Sequence, residues 1–318
     1  MKSNIVKHIL FYIFFFGIIY FFGKTLYSNF SEIKNYDFEI NFGYLFLSLV
    51  SFLVFFWSLG ILWKGLLISP LLTSPHGRGI AQKIVNKDIH YINAISWISK
   101  YIPGKVAMVA TKVLYLEKFG VSKKTSFLSC LYEHIFQIMS SFLLSLPFII
   151  YYFWGTQNDI YVMLSSLSLI VGIIIIHPYI FNKVLNFALT LFKKTPLDAS
   201  HFLSLSQILK YILGYSVSMI LKGGSFVLFV ASITQIGGIQ DIVFYTFAWI
   251  FAGVIGIISI FAPNGLGVRE GVLTLILTLV LPLEIAILIS IGSRLWFSLC
   301  DGVIGIGILG VKYSKIKL

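Results

Sequence analysis

The sequence predicts an all-α, polytopic membrane helical bundle of about six spanning helices and two broken, re-entrant hairpins. Three observations predict it. Hydrophobic residues make up 58% of the chain and charged residues only 11%, against about 25% charged in a soluble domain. Apolar runs of about 20 residues recur along its length, each long enough to cross a bilayer. Basic residues gather between those runs in alternate connections, as the positive-inside rule requires. No polar stretch is long enough for a separate soluble fold, so residues 1–318 read as a single integral membrane domain.

In chain order, "MKSNIVKHILFYIFFFGIIYFFG" has a basic start and an apolar run from Ile9 to Phe22 with no small-residue cleavage site after it. It reads as an uncleaved first span over 5–23. Further spans are expected at 42–63, 125–153, 160–181, 211–234 and 285–310. The cytoplasmic side then carries Lys2 and Lys7, Lys64 to Lys87, Lys112 to Lys124, Lys183 to Lys210, and Lys312 to Lys317, while the opposite side carries Lys24 and Lys34. Both termini are therefore expected in the cytoplasm. The net charge of +12 is explained by this sidedness, and nucleic acid is not an expected partner. Cys130 and Cys300 fall in apolar helices, which supports neither a disulfide framework nor a metal site. Trp154, with Tyr151 and Tyr152, fits an aromatic belt at the outer interface.

Two apolar regions do not fit as simple spans. In 89–116, "IHYINAISWISKYIPGKVAMVATKVLYL", Pro103 and Gly104 cut the run into arms of about 14 and 12 residues, each near 20 Å long. In 242–281 the first arm is long enough to cross, but the second, Val272 to Leu281, reaches only about 15 Å. Both fit re-entrant segments broken at Pro103, Gly104 and Pro263, the first opening to the cytoplasm and the second to the outside. "YIPGKV" and "FAPNGLGVRE" share the order apolar, Pro, Gly, basic, and each precedes a helix with a buried-type charge, Glu133 or Arg294. Broken segments in corresponding positions of two halves, about 42–155 and 205–311, are the pattern of an inverted repeat.

The breaks concentrate the candidate site residues. A helix restarting after Pro263 turns free N–H groups and a positive dipole end into the break, which suits an anion. Gly265 and Gly267 allow close approach to the backbone, and Arg269 adds a bidentate donor for phosphate or carboxylate. Glu270 needs a partner if buried, with Arg294, Lys222 or Lys105 available. The charges expected at membrane depth are Lys100, Lys105, Lys222, Arg269 and Arg294 against Glu133, Glu270 and Asp301, and the positive excess suits a phosphate. Lys100 fits a snorkelling side chain. Glu133 is expected to pair with Lys105 or to carry a proton, and Asp301 to cap, pair or titrate. Gly302 to Gly310 suggest close helix packing. His134 and His177 lack the spacing of metal ligands, so no metal or cofactor is expected.

"SKYIPGKVAMVATKVLYLEKFGVSKKTSFLSCLYEHI" resembles the first signature of the flippase-like transmembrane family, which includes the membrane half of bacterial lysylphosphatidylglycerol synthases and stand-alone relatives. Tyr101, Pro103, Gly104, Lys105, the Gly120-Val121-Ser122 turn and Glu133 carry that likeness. "APNGLGVREGVL" resembles the second signature through Pro263, Gly265, Gly267, Arg269 and Glu270. The likeness covers nearly the whole chain. It implies two re-entrant segments around a lipid-facing cavity, and lipid translocation or handling as the activity. The chain ends at Leu318 without a soluble aminoacyltransferase domain, so synthesis of lysylphosphatidylglycerol is not expected of it.

The leading expectation is a flippase-like transporter moving an anionic lipid, a phospholipid or a polyprenyl-phosphate-linked one, between leaflets of a bacterial or archaeal cytoplasmic membrane. Lys105, Lys222, Arg269 and Arg294 would neutralise the headgroup, and Glu133, Glu270 or Asp301 would couple protons. The alternatives are an accessory subunit serving enzymes of envelope lipid or glycan synthesis, and a lipid-linked transferase. The sequence has no D-x-D motif, and an enzyme is the less expected class.

Overall fold

A computed structural model describes residues 40–69, 83–101, 107–153, 170, 174, 177–191, 203–258, 265 and 267–309. The expected span 5–23, most of 160–181, and Pro103, Gly104, Lys105 and Pro263 lie outside the described residues. The described residues form helices and no strand. They are α1 Phe42–Leu67, α2 Asn86–Ile98, a 3-10 turn Ser99–Tyr101, α3 Ala107–Glu117, α4 Lys123–Phe153, α5 Pro178–Leu191, α6 Leu205–Ala231, α7 Ile239–Ile258, α8 Val268–Leu277 and α9 Leu283–Leu309.

Among the described residues five helices are long and apolar enough to cross a membrane: α1, α4, α6, α7 and α9. The protein is thus an integral membrane helical bundle. Four of these correspond to expected spans, and the fifth, α7, is the long first arm of the second broken region. One expectation changes. The connection 182–210 was read as a loop, yet α5 continues to Leu191. Pro178 stands at its first helical position, where a missing N–H costs nothing. Apolar side chains such as Phe46, Val50, Val54, Trp57 and Ile61 stand exposed at helical spacing along α1, as a lipid-facing stripe does.

The helix ends follow from local chemistry. Asn41 caps α1, its Oδ1 accepting from Gly43 N at 3.0 Å and Tyr44 N at 3.3 Å. Ser204 and Gln207 make a reciprocal capping box at the start of α6. The Gly120-Val121-Ser122 turn is a stop followed by a start. Gly120 takes φ 83°, its N–H donates to Glu117 O, and Val121 N–H donates to Leu116 O, which closes α3 in a Schellman motif. Ser122 Oγ then accepts from Thr125 N at 3.1 Å and caps α4. Val121 between them is buried against Trp63, Ile89, Ile92 and Leu116.

The chain divides into two compact units, one comprising 1–53, 103–105 and 220–303, the other 54–102, 106–219 and 304–318. In the first, Ser48 Oγ donates to Ser225 O at 2.7 Å, Ser225 Oγ donates back to Ser48 O at 2.7 Å, and Ser51 Oγ donates to Leu221 O at 3.0 Å. Hydroxyls here satisfy one helix on the backbone of the next. Gly223 lets α7 approach closely, since a Cβ there would lie 2.6 Å from Thr246 Cγ2. Phe226, Trp249 and Phe297 stack through its centre, at 4.4 Å and 4.7 Å. In the second unit, α2 and α3 fold into a hairpin. Ser96 Oγ donates to Met108 O at 2.8 Å, and the Ser99 and Thr111 hydroxyls meet at 3.0 Å. The two helices are about 20 Å and 16 Å long, against a bilayer core about 30 Å thick. Gly302 and Gly307 have nothing within 4 Å of a would-be Cβ and Gly305 only Ile98 Cδ1 at 3.8 Å, so among the described residues the α9 glycines do not serve close helix packing.

Candidate functional site

Each unit buries charge beside a broken region. In the first unit, α7 and α8 lie against each other across the Gly265–Gly267 break. Gly265 has φ 68° and Gly267 φ 78°, conformations that side chains other than glycine adopt at a cost. A Cβ on Gly265 would lie 2.8 Å from Gly256 Cα, and a Cβ on Gly256 would lie 3.0 Å from Arg269 Cβ. The glycines therefore bring α7 onto the start of α8.

The helix N-terminus is already partly occupied. Glu270, at the third helical position, accepts from Gly267 N–H at 2.7 Å through Oε2, and its Oε1 accepts from Arg294 Nη1 on α9 at 3.1 Å. One carboxylate thus caps α8 and ties it to α9. Of the partners open to Glu270, Arg294 is bonded to it, and Lys105 lies outside the described residues. The chain's own carboxylate takes part of the N–H array that the sequence offered to a ligand. Arg294 is correspondingly an ion-pair residue.

Arg269 is placed differently. Its guanidinium carbon sits 3.7 Å from the centre of the Trp249 ring, while Glu270, Arg294 and Asp301 surround it electrostatically. Its Nη2 is buried with no hydrogen-bond partner among the described residues, and so is Trp249 Nε1. Two adjacent buried donors without an acceptor are unusual, because buried polar groups are nearly always bonded. Trp249 was not singled out in the sequence. The signal available was a tryptophan in mid-helix, in "FYTFAWIFAG", far from the interfaces that tryptophan prefers. Asp301 is buried on α9, and Lys222 is half-buried on α6 within the same unit.

In the second unit the ion pair joins the hairpin to the helix that follows it. Lys112 Nζ on α3 lies 2.6 Å from Glu133 Oε2 on α4, with side-chain exposures of 3% and 4%. The ammonium also sits 4.0 Å from the centre of the Trp63 ring, and Trp63 Nε1 donates to Ser129 Oγ at 3.2 Å. Glu133 is bonded to Lys112, and Lys105, the partner expected for it, lies outside the described residues. One expectation is corrected here. Lys112 was assigned to a cytoplasmic connection on charge alone; it belongs to α3, where a buried carboxylate one helix away holds it. Lys100 sits 4.2 Å over the Trp97 ring, an aromatic contact in addition to any reach toward water. Among the described residues no cluster of histidine, cysteine or carboxylate side chains could hold a metal ion.

Neither the curated proteins nor the solved structures contain a match to this chain. A family match is present, to the lysylphosphatidylglycerol synthase TM region over residues 7–298. That interval contains both broken regions and both buried ion pairs. Together with the spanning helices, it places the chain among membrane proteins of lipid or envelope biosynthesis, as a member of the lysylphosphatidylglycerol synthase transmembrane-region family.

Proposed function

We propose that this protein is a flippase-like transporter whose first unit receives an anionic lipid headgroup at the Gly265–Arg269 break. The pair of orphan donors carries the reading. Arg269 Nη2 and Trp249 Nε1 stand buried together with no acceptor among the described residues, and a phosphate oxygen supplies what both lack. Glu270 neutralises Arg294 and fastens α8, and Arg269 is a cation placed to meet the substrate. Trp249 holds the guanidinium in place by its ring face. The lipid tails remain in the bilayer, so only the headgroup loses water. In this reading the α7–α8 and α2–α3 hairpins are re-entrant and belong to inverted halves, and alternating access follows from movement of one half against the other.

The test is reconstitution into liposomes with fluorescent phosphatidylglycerol and phosphatidylcholine, measuring movement between leaflets for the wild type and Arg269→Ala. Anionic-selective movement that falls at least tenfold in Arg269→Ala supports the reading. A folded wild type that moves neither lipid overturns it and favours an accessory role beside an envelope enzyme.

A further inference from the structure

The two buried ion pairs are chemically unequal. In the first unit the cation is Arg294, and a guanidinium does not release its proton in proteins. Glu270 also accepts from the Gly267 N–H. In that pair only one member can exchange a proton. In the second unit both members can exchange a proton, because a lysine ammonium can become an amine and a carboxylate can become an acid.

We infer that Lys112 and Glu133 form a proton-transfer pair that couples movement of the α3 arm to proton transport, a role that rests on the transport function proposed above. With α3 seated on α4 the pair is an ammonium and a carboxylate 2.6 Å apart, almost fully out of solvent. Drawing the arm away would leave two isolated charges where neither is solvated, which costs several kcal/mol per ion. Passing one proton from Lys112 Nζ to Glu133 Oε2 avoids this. An N–H bond breaks and an O–H bond forms, and both groups leave the contact uncharged. The acid then gives its proton to water on one face, and the amine takes one from water on the other. One proton crosses per cycle, and the pair returns to its starting state.

The surroundings fit such a pair. Trp63 on α1 presents its ring face to the ammonium at 4.0 Å. Cys130 on α4 lies close enough to feel both Lys112 and Glu133, and Tyr215 on α6 close enough to feel Glu133, Tyr211 and Cys130. The Tyr215 side chain is completely buried, and its hydroxyl has no hydrogen-bond partner among the described residues, so it offers a polar stop beside the carboxylate. The connection is also short: only the Lys118–Ser122 turn separates α3 from α4, with Gly120 at φ 83°.

The test uses the full chain in liposomes of phosphatidylethanolamine and phosphatidylglycerol, with fluorescent phosphatidylglycerol and an internal pH dye. A one-unit pH gradient is expected to shift the wild-type leaflet distribution of the probe by about tenfold for one coupled proton. Lys112→Arg keeps the ion pair but removes the exchangeable proton. By the separation cost above, it is expected to hold the arm seated and to lose the gradient response and the proton flux. A purely structural pair would tolerate arginine, so a Lys112→Arg protein that responds to the gradient like the wild type overturns the inference. Infrared spectra of the wild type and of Glu133→Gln at one pH supply a readout independent of lipid movement. A protonated-carboxyl band that disappears in Glu133→Gln supports the pair, and an unchanged band overturns it. If no lipid moves in the wild type while that band is present, the transport reading fails and the proton-transfer pair stands.

Discussion

Replacing Glu270 separates two bonds made by one side chain. Oε1 holds Arg294 at 3.1 Å and Oε2 holds the Gly267 N–H at 2.7 Å. Glu270→Ala removes both, taking the ion partner from a partly buried guanidinium and the side-chain acceptor from a backbone donor. Breaking a buried ion pair from one side costs about 3–5 kcal/mol, and the 19% exposure of the Arg294 side chain places this case at the lower end. A charge-assisted bond to a backbone N–H adds about 1.5–3 kcal/mol. The two losses overlap, so the expected destabilisation is about 4 kcal/mol. Glu270→Gln keeps a neutral acceptor for Gly267 and for Arg294, and about half of that loss is expected. The assay is equilibrium unfolding in mixed micelles, titrated with dodecyl sulfate and followed by helical circular dichroism. Adding Arg294→Gln to Glu270→Gln should cost less than the sum of the single changes, since the second removes a group already without its ion partner. Equal losses for Ala and Gln would refute the capping role, and strict additivity of the double change would refute the ion pair.

Four further outcomes are expected. Gly265→Ala should destabilise by about 2–3 kcal/mol and more than Gly256→Ala, because at Gly265 (φ 68°) the new Cβ meets the Gly256 backbone at 2.8 Å whereas at Gly256 it meets the Arg269 Cβ at 3.0 Å; the same unfolding assay ranks them. Trp249→Leu removes the ring beneath Arg269 and should weaken anionic-lipid movement in liposomes more than tenfold while leaving the helical content unchanged. Burial first, and the Lys64 charge second, hold the His90 imidazole below its ordinary 6.5, so the fold favours the neutral ring; stability is unaffected above 6.5 and is lost as pH falls from there through the folded value, and the drop in melting temperature between pH 7 and pH 5 should shrink in His90→Gln. In a background with Cys130 and Cys300 changed to serine, Lys118→Cys should be labelled by an impermeant maleimide from the cytoplasmic face and Val280→Cys from the outer face; labelling of both from one face would refute the opposed hairpins.

Much of the fold was legible because lipid leaves few options for backbone groups. Apolar length marks a helix, and the ends of α1, α4 and α6 carry local caps that can be read directly from Asn41, Ser122 and Ser204. The second break was legible for the same reason, as Gly265 and Gly267, both at positive φ, stand between α7 and α8. Partnerships were not. Lys112 is followed within twelve residues by Lys118, Lys123 and Lys124, and a charge count treats all four alike. Only the packing of α3 on α4 distinguishes the one that faces Glu133 from those that face water. Likewise Glu270 had three candidate cations, and sequence spacing cannot rank partners on different helices. Trp63 and Trp249 were invisible for a related reason. Their role is to present a ring face to a cation, which depends on rotation about a helix axis and leaves no pattern in composition.

The two ion pairs also bear on how the chain enters the bilayer. Lys112 and Glu133 are 21 residues apart, and Glu270 and Arg294 are 24 apart. Each pair links a short arm to the next long helix emerging from the ribosome. A single lysine, arginine or acidic residue at mid-helix costs about 2.5–3.5 kcal/mol during insertion through the translocon. Neighbours of opposite sign allow an arm and its following helix to leave the translocon together, already neutralised, before the remaining helices exist. Charge-reversed single substitutions at Lys112 or Glu270 would then reduce the fraction of chains inserted as well as the stability of those that fold, and exchanging both members of a pair would restore insertion.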